Sequence, residues 1–193
     1  MKSRLTALLI LLLLIPAGCG KKEGEARSRY GDRHYEVPEG DPAFPELNPE
    51  CWVMDLAGVM DDAAQKELHN TLITDMYNKK LCQVVVLLIN KVHHPEEYAN
   101  AYGRWVGLGE EGRSSEGGQN GLVYLIRPDA KEGKISWAIG TGLPQFTAND
   151  AYDVAKKAGD AIYFNNYDLG VRILLEETRK VLESKKALKK GGG

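Results

Sequence analysis

The chain offers little with which to cross a membrane repeatedly, coat a nucleic acid or cradle a nucleotide. After Leu5–Ile15, no apolar run approaches the roughly twenty residues of a spanning helix. No basic stripe with interleaved aromatics is present, and 27 acidic side chains outnumber 25 basic ones. Nucleic acid is therefore not expected as a partner. A Gly-Lys-Ser/Thr phosphate loop is lacking, and Gly140-Thr141-Gly142 is too short for a dinucleotide fingerprint. Cys82 has no Cys-x5-Arg context, and Ser114, between Arg113 and Ser115, misses the Gly-x-Ser-x-Gly elbow. No catalytic residue is assigned, and no organic cofactor is expected. No acidic run has EF-hand spacing, and there is no internal repeat. Cysteine is scarce, limited to Cys19, Cys51 and Cys82.

The first thing present is an address. Lys2 and Arg4 precede the apolar stretch Leu5–Ile15, which only Thr6 interrupts, and Pro16-Ala17-Gly18 follows. A basic start, a short greasy stretch and small residues read as an export signal over residues 1–18. Cys19 directly after Ala17-Gly18 resembles the lipobox of bacterial lipoproteins, with Pro16 standing where that box usually has Leu. The resemblance implies cleavage before Cys19 and acylation of its new amino terminus. The expected location is the bacterial cell envelope, on its periplasmic or extracellular face, with the membrane bound through the N-terminal lipid. Loss of Lys2 and Arg4 leaves 23 basic against 27 acidic side chains, a net charge of −4.

Residues 19–48 read as a disordered tether. They are rich in charge and carry Pro38, Pro42 and Pro45, with Pro49 just beyond, a composition that favours an extended path. Such a tether reaches at most roughly 100 Å. From Cys51 the pattern changes, and the folded domain is placed at 49–185, with 186–193 as a disordered tail. Ala64, Leu68, Leu72 and Met76 recur at helical spacing. Gln83–Ile89 and Gly121–Ile126 are continuous apolar runs that suit strands buried on both faces. Pro95 opens a further helix, with His93-His94 read as a polar turn into it rather than a metal pair. Lys134–Gly140 alternates, as expected of a strand antiparallel to the preceding one. Thr147–Phe164 and Leu169–Lys186 read as two more helices. The order α-β-α-β-β-α-α argues a layered α/β domain with a mixed sheet.

Six marks then resemble the TPM domain family. They are Asp55-Leu56-Ala57-Gly58-Val59, the Gln83-Val84-Val85-Val86 strand, and Glu97-Tyr98-Ala99 leading to Trp105-Val106-Gly107-Leu108-Gly109. Asn120-Gly121-Leu122-Val123-Tyr124-Leu125, Ile139-Gly140-Thr141-Gly142-Leu143 and Asn166-Tyr167-Asp168-Leu169-Gly170 complete the series. The family usually has Trp followed directly by Gly-Ile-Gly, so Val106 is a departure. The resemblance covers about residues 49–183. It implies a Rossmann-like three-layer α/β/α sandwich with a small mixed sheet. Members are linked to photosystem repair, acid phosphatase activity and an auxiliary role beside a receptor channel, and some bind calcium through acidic clusters.

The residues themselves give the candidate chemistry. Asp55 interrupts an apolar stretch, and a charge so placed needs hydrogen bonds or a cation. Loops at the carboxyl ends of strands in an open α/β sheet converge on one crevice, where oxygen ligands suit Ca²⁺, or less well Mg²⁺. The candidate metal ligands are Asp55, Asp62, Asp168 and Asn120. Asp61 and Asp150 read instead as helix caps. In an oxidising compartment Cys51 and Cys82 form a possible disulfide, the alternative being two buried thiols. The aromatic run around Tyr163, Phe164 and Tyr167 is a candidate contact for an envelope protein partner. The expected function is a tethered accessory or scaffolding domain that binds a divalent cation. A metal-dependent phosphatase and a metal-free interaction module are the alternatives.

Overall fold

Two apolar runs make the centre of the sheet. In the computed structural model, which describes residues 25–27, 34–109, 120–143 and 145–191, Gln83–Leu88 forms β4 and Gly121–Ile126 forms β5, paired in parallel. Val53–Asp55 (β3) pairs in parallel with β4 on one side. Ile135–Ile139 (β6) pairs antiparallel with β5 on the other, giving the order β3-β4-β5-β6. Side chains alternate across a pleated sheet. Val84, Val86, Leu88, Leu122, Tyr124 and Ile126 therefore enter one core, while Val85, Leu87, Val123 and Leu125 enter another. Both faces are covered, which is why these strands are apolar throughout.

The first core lies under α1 (Asp62–Leu68), a π-helical turn at His69–Ile73, α2 (Thr74–Asn78), α4 (Ala148–Tyr163) and α5 (Tyr167–Gly191). The second lies under α3 (Pro95–Trp105). This is the expected three-layer α/β/α sandwich with a small mixed sheet. Asp61 caps α1 by accepting the Ala63 N–H, and Thr147 with Asp150 forms a capping box on α4. At the α4–α5 corner Gly170 passes so near that a Cβ would stand 2.4 Å from Ile162 Cγ1, so only glycine admits this approach. Across the first core the Tyr124 hydroxyl meets Thr178 Oγ1 at 2.8 Å, tying the sheet to α5.

Four expectations need correction. β3 is a strand without a signal in the sequence, because its three residues, Val53–Asp55, show too little alternation to count. The tether ends early. Glu25–Arg27 (β1) and His34–Glu36 (β2) pair antiparallel, and Val37, Phe44 and Leu47 pack into the second core. Asp41 explains why that segment stays: its carboxylate accepts the backbone N–H groups of His93 and His94 at the start of α3. The tail is not separate either, since α5 continues to Gly191. Lys185, at the expected end of the domain, pairs with Asp150 at 2.5 Å, and the Lys186 ammonium, the first of the expected tail, donates to the Lys79 carbonyl at 2.5 Å. Finally, Cys51 and Cys82 are free buried thiols. The Cys51 thiol donates to the Val53 carbonyl at 3.1 Å instead of meeting Cys82. The export signal and Cys19 lie outside the described residues.

Candidate functional site

At the carboxyl end of β3 the chain turns sharply around one side chain. Asp55 Oδ1 accepts the N–H groups of Ala57 at 3.0 Å and Gly58 at 2.9 Å. Its Oδ2 accepts those of Val59 at 2.5 Å and Met60 at 2.6 Å. A carboxylate has about four lone-pair sites, and here all are engaged by backbone. Gly58 takes φ +69°, a left-handed conformation that the turn requires and glycine adopts without strain. The charge that the sequence left in need of hydrogen bonds or a cation has found hydrogen bonds. Asp55 builds the loop, and its oxygens are not available as metal ligands without dismantling it.

The loop delivers Val59 to a crevice of about 470 Å³ at the same edge of the sheet, also lined by Asn90, Pro128, Asp129, Asn165 and Tyr167. Asn90 follows β4, and Asp129 follows β5 through Pro128. Asn165 and Tyr167 belong to the α4–α5 turn, where Asn165 has φ +60°. Asn90 Oδ1 is buried and has no hydrogen-bond partner. Asp129 Oδ2 accepts the Lys91 N–H at 2.9 Å, which leaves Oδ1 for other use. Asn165 Oδ1 accepts from the Lys134 ammonium at 3.1 Å and from the Tyr167 hydroxyl at 2.9 Å. Asp168, next to Tyr167, accepts the Asp61 N–H on Oδ1 at 3.3 Å, which ties the start of α5 to the Asp55 loop.

Of the expected ligands, the structure brings Asp55 and Asp168 to one edge. Asp62 lies in the exposed first turn of α1, where Oδ1 accepts a long 3.4 Å hydrogen bond from Gln65. Asn120 precedes Gly121 at the amino end of β5, so it sits at the opposite edge of the sheet. Strand rise puts it roughly 15–20 Å from the crevice, and it cannot complete the set. Among the described residues, no group of three or more His, Cys, Asp or Glu side chains is arranged to hold a metal. The oxygens that gather here are the amide ones of Asn90 and Asn165 and the carboxylate ones of Asp129. Sequence reasoning missed Asn90 and Asp129. Their signal was position: each stands just beyond a parallel strand's carboxyl end, where open sheets bind ligands.

The TPM domain profile matches residues 53–181, well over half of the chain. The chain belongs to the TPM domain family. Two solved structures resemble this TPM domain in fold. The N-terminal domain of a protein from P. gingivalis is 18% identical, with a TM-score of 0.57, over 70% of this chain and 83% of that one. The N-terminal domain of the cg2496 protein from Corynebacterium glutamicum is 16% identical, with a TM-score of 0.53, over 75% and 86% of the respective chains. No curated protein matches the sequence significantly.

The edge of the TPM domain that carries the crevice is also where apolar side chains stand in solvent. Tyr163 is 65% and Phe164 76% exposed, in edge-to-face contact with each other at 5.3 Å. Leu56, Val59 and Leu169 are exposed on the adjoining loop and helix. Tyr167, the third aromatic of the expected contact, is buried instead, as are Tyr98 and Tyr102, and Trp105 packs against the second core. Positive charge near the crevice comes from Lys134, held over the Tyr167 ring at 5.7 Å. Arg172 on α5 is engaged by Glu67, which holds that carboxyl below its ordinary range. Cys82 is no nucleophile, because burial pushes its thiol up to about 12.

Proposed function

We propose that this TPM domain is an envelope accessory domain that binds a divalent cation in the crevice at the carboxyl edge of its sheet. The exposed apolar rim around that crevice meets a protein partner. One observation carries the reading: the unpartnered buried Asn90 Oδ1 and Asp129, whose Oδ1 is left over from the Lys91 N–H, meet at one crevice, with Asp168 beside it. Mixed carboxylate and amide oxygens suit Ca²⁺ better than Mg²⁺, which demands stricter geometry. Sites with so few charges belong to the weak, roughly millimolar class. At tenfold saturation the expected gain is about 1.4 kcal/mol, which raises the melting temperature by about 3–5 °C. Thermal melts of the full chain with Ca²⁺ and with Mg²⁺ measure it. No shift from either ion removes the cation from the proposal.

Metal-dependent phosphomonoester hydrolysis is a second reading, favoured by the Lys134 ammonium beside the crevice, which puts positive charge where a phosphate would rest. Ca²⁺- or Mg²⁺-dependent turnover of a generic phosphomonoester, abolished in Lys134→Ala, would establish it.

Anchoring through Cys19 is part of the proposal, and the fold shortens its reach. Because Glu25–Arg27 pairs with His34–Glu36 and Val37, Phe44 and Leu47 pack into the second core, the reach is shorter than that of residues 19–48 fully extended. Intact mass of the membrane-extracted protein tests this. A diacyl or triacyl mass on a chain beginning at Cys19 is expected, and an unmodified amino terminus rejects it.

A further inference from the structure

The opposite edge of the sheet holds a second cavity that the reading above does not use. About 350 Å³ in volume, it lies where the π-helical turn and α2 face the end of α3. Trp52, Tyr77, Ile73, Leu47, Val106 and Leu108 give it apolar walls. The Trp52 ring stands 6.2 Å from His69 and 6.4 Å, edge-on, from Tyr77. The volume is at the lower end of small-molecule sites, which have this mixture of aromatic walls and few polar groups.

Those polar groups are fixed by the backbone. The Trp52 N–H donates to His69 Nδ1 at 3.2 Å, so the neutral ring carries its proton on Nε2. Burial holds His69 below its ordinary range and so favours that neutral form. Gln83 Oε1 accepts the Gly109 N–H at 2.8 Å, which orients the amide and leaves its NH₂ as a donor. Neither His69 Nε2 nor the Gln83 NH₂ is among the buried unpartnered atoms, so both remain accessible. Among the described residues, no charged side chain lines the cavity, so an ion buried there would lack a partner from them. The π-helical turn itself is a second pointer. Its i→i+5 bond from the Thr74 N–H to the His69 carbonyl displaces His69 from ordinary helical register, and such turns gather at functional sites.

We propose that this cavity binds a neutral, planar small molecule bearing a carbonyl acceptor. The ring system lies between Trp52 and Tyr77, and the carbonyl accepts from His69 Nε2–H and the Gln83 amide. The site is independent of the cation crevice at the other edge.

Coumarin is a suitable probe, being neutral, flat and carrying one lactone carbonyl. Coumarin-3-carboxylate is its charged counterpart. Titrated into the full chain at millimolar concentrations, coumarin is expected to shift the His69 imidazole and Trp52 indole NMR signals saturably. His69→Asn retains an acceptor for the Trp52 N–H, but its shorter side chain places no donor where Nε2–H stood, and it is expected to weaken binding about tenfold, the effect of one hydrogen bond. Tyr77→Ala, at a half-exposed position that leaves the fold intact, is expected to weaken it too. Coumarin-3-carboxylate is expected to bind at least tenfold more weakly than coumarin. Absence of saturable shifts, equal binding of the carboxylate, or coumarin binding unchanged in both variants would each overturn the proposal.

Discussion

Asp55→Ala is expected to destabilise the domain by about 4 kcal/mol. Each charge-assisted hydrogen bond contributes roughly 1.5–3 kcal/mol when its partner is removed. Asp55 makes four, to Ala57, Gly58, Val59 and Met60. The four share one side chain and part of the loop faces water, so the total falls well below their sum. For a domain of this size the loss corresponds to a fall of about 8–16 °C in melting temperature. Asp55→Asn keeps one acceptor oxygen and should lose about half as much. Urea melts of both variants check the ranking. If Asp55→Ala melts like the wild type, the carboxylate does not organise the loop. A ligand role for Asp55 would then return to consideration.

Phe44→Ala carries the second large effect, about 3 kcal/mol, at the low end for a buried aromatic because the residue lies near the domain's surface. Phe44 is only 9% exposed and packs edge-on against Tyr98 at 5.0 Å and Tyr102 at 5.8 Å, with Trp105 at 5.5 Å. A residue of a free tether would change nothing on truncation. Loss of cooperative stability in Phe44→Ala therefore distinguishes a docked segment from a disordered one, and an unchanged urea midpoint would restore the tether as read from composition.

That segment shows why the sequence was legible in some places and not others. The central strands announced themselves because burial on both faces leaves Gln83–Leu88 and Gly121–Ile126 nearly devoid of polar residues. The long helices announced themselves through period and caps. The stretch from Val37 to Leu47 has neither signal. It packs by three scattered apolar side chains, Val37, Phe44 and Leu47, and by Asp41, whose partners are backbone N–H groups some fifty residues away, and no local pattern encodes such contacts. Lys185 and Lys186 held the end of α5 in place by the same kind of distant pairing.

The site was legible as an edge but not as a set of residues. Asp55 was recognisable as a charge in need of partners, and the structure supplies four of them from its own loop. Asp168 was placed at the correct edge, while Asn120 was assigned to it although the strand direction carries that residue to the opposite end. Asn90 and Asp129 carry no local signal of their own. Only the parallel pairing of β4 with β5 brings the positions just after each strand together.

The cation claim turns on those last two residues and on Asp168. The decisive measurement is calorimetric titration of Ca²⁺ into the full chain and into an Asp129→Asn/Asp168→Asn double variant. Both substitutions keep the oxygen that accepts a backbone N–H. The account predicts saturable binding to the wild-type chain in the roughly millimolar class and at least a tenfold loss in the double variant. Equal heats from the two proteins, or none from the wild type, would contradict it.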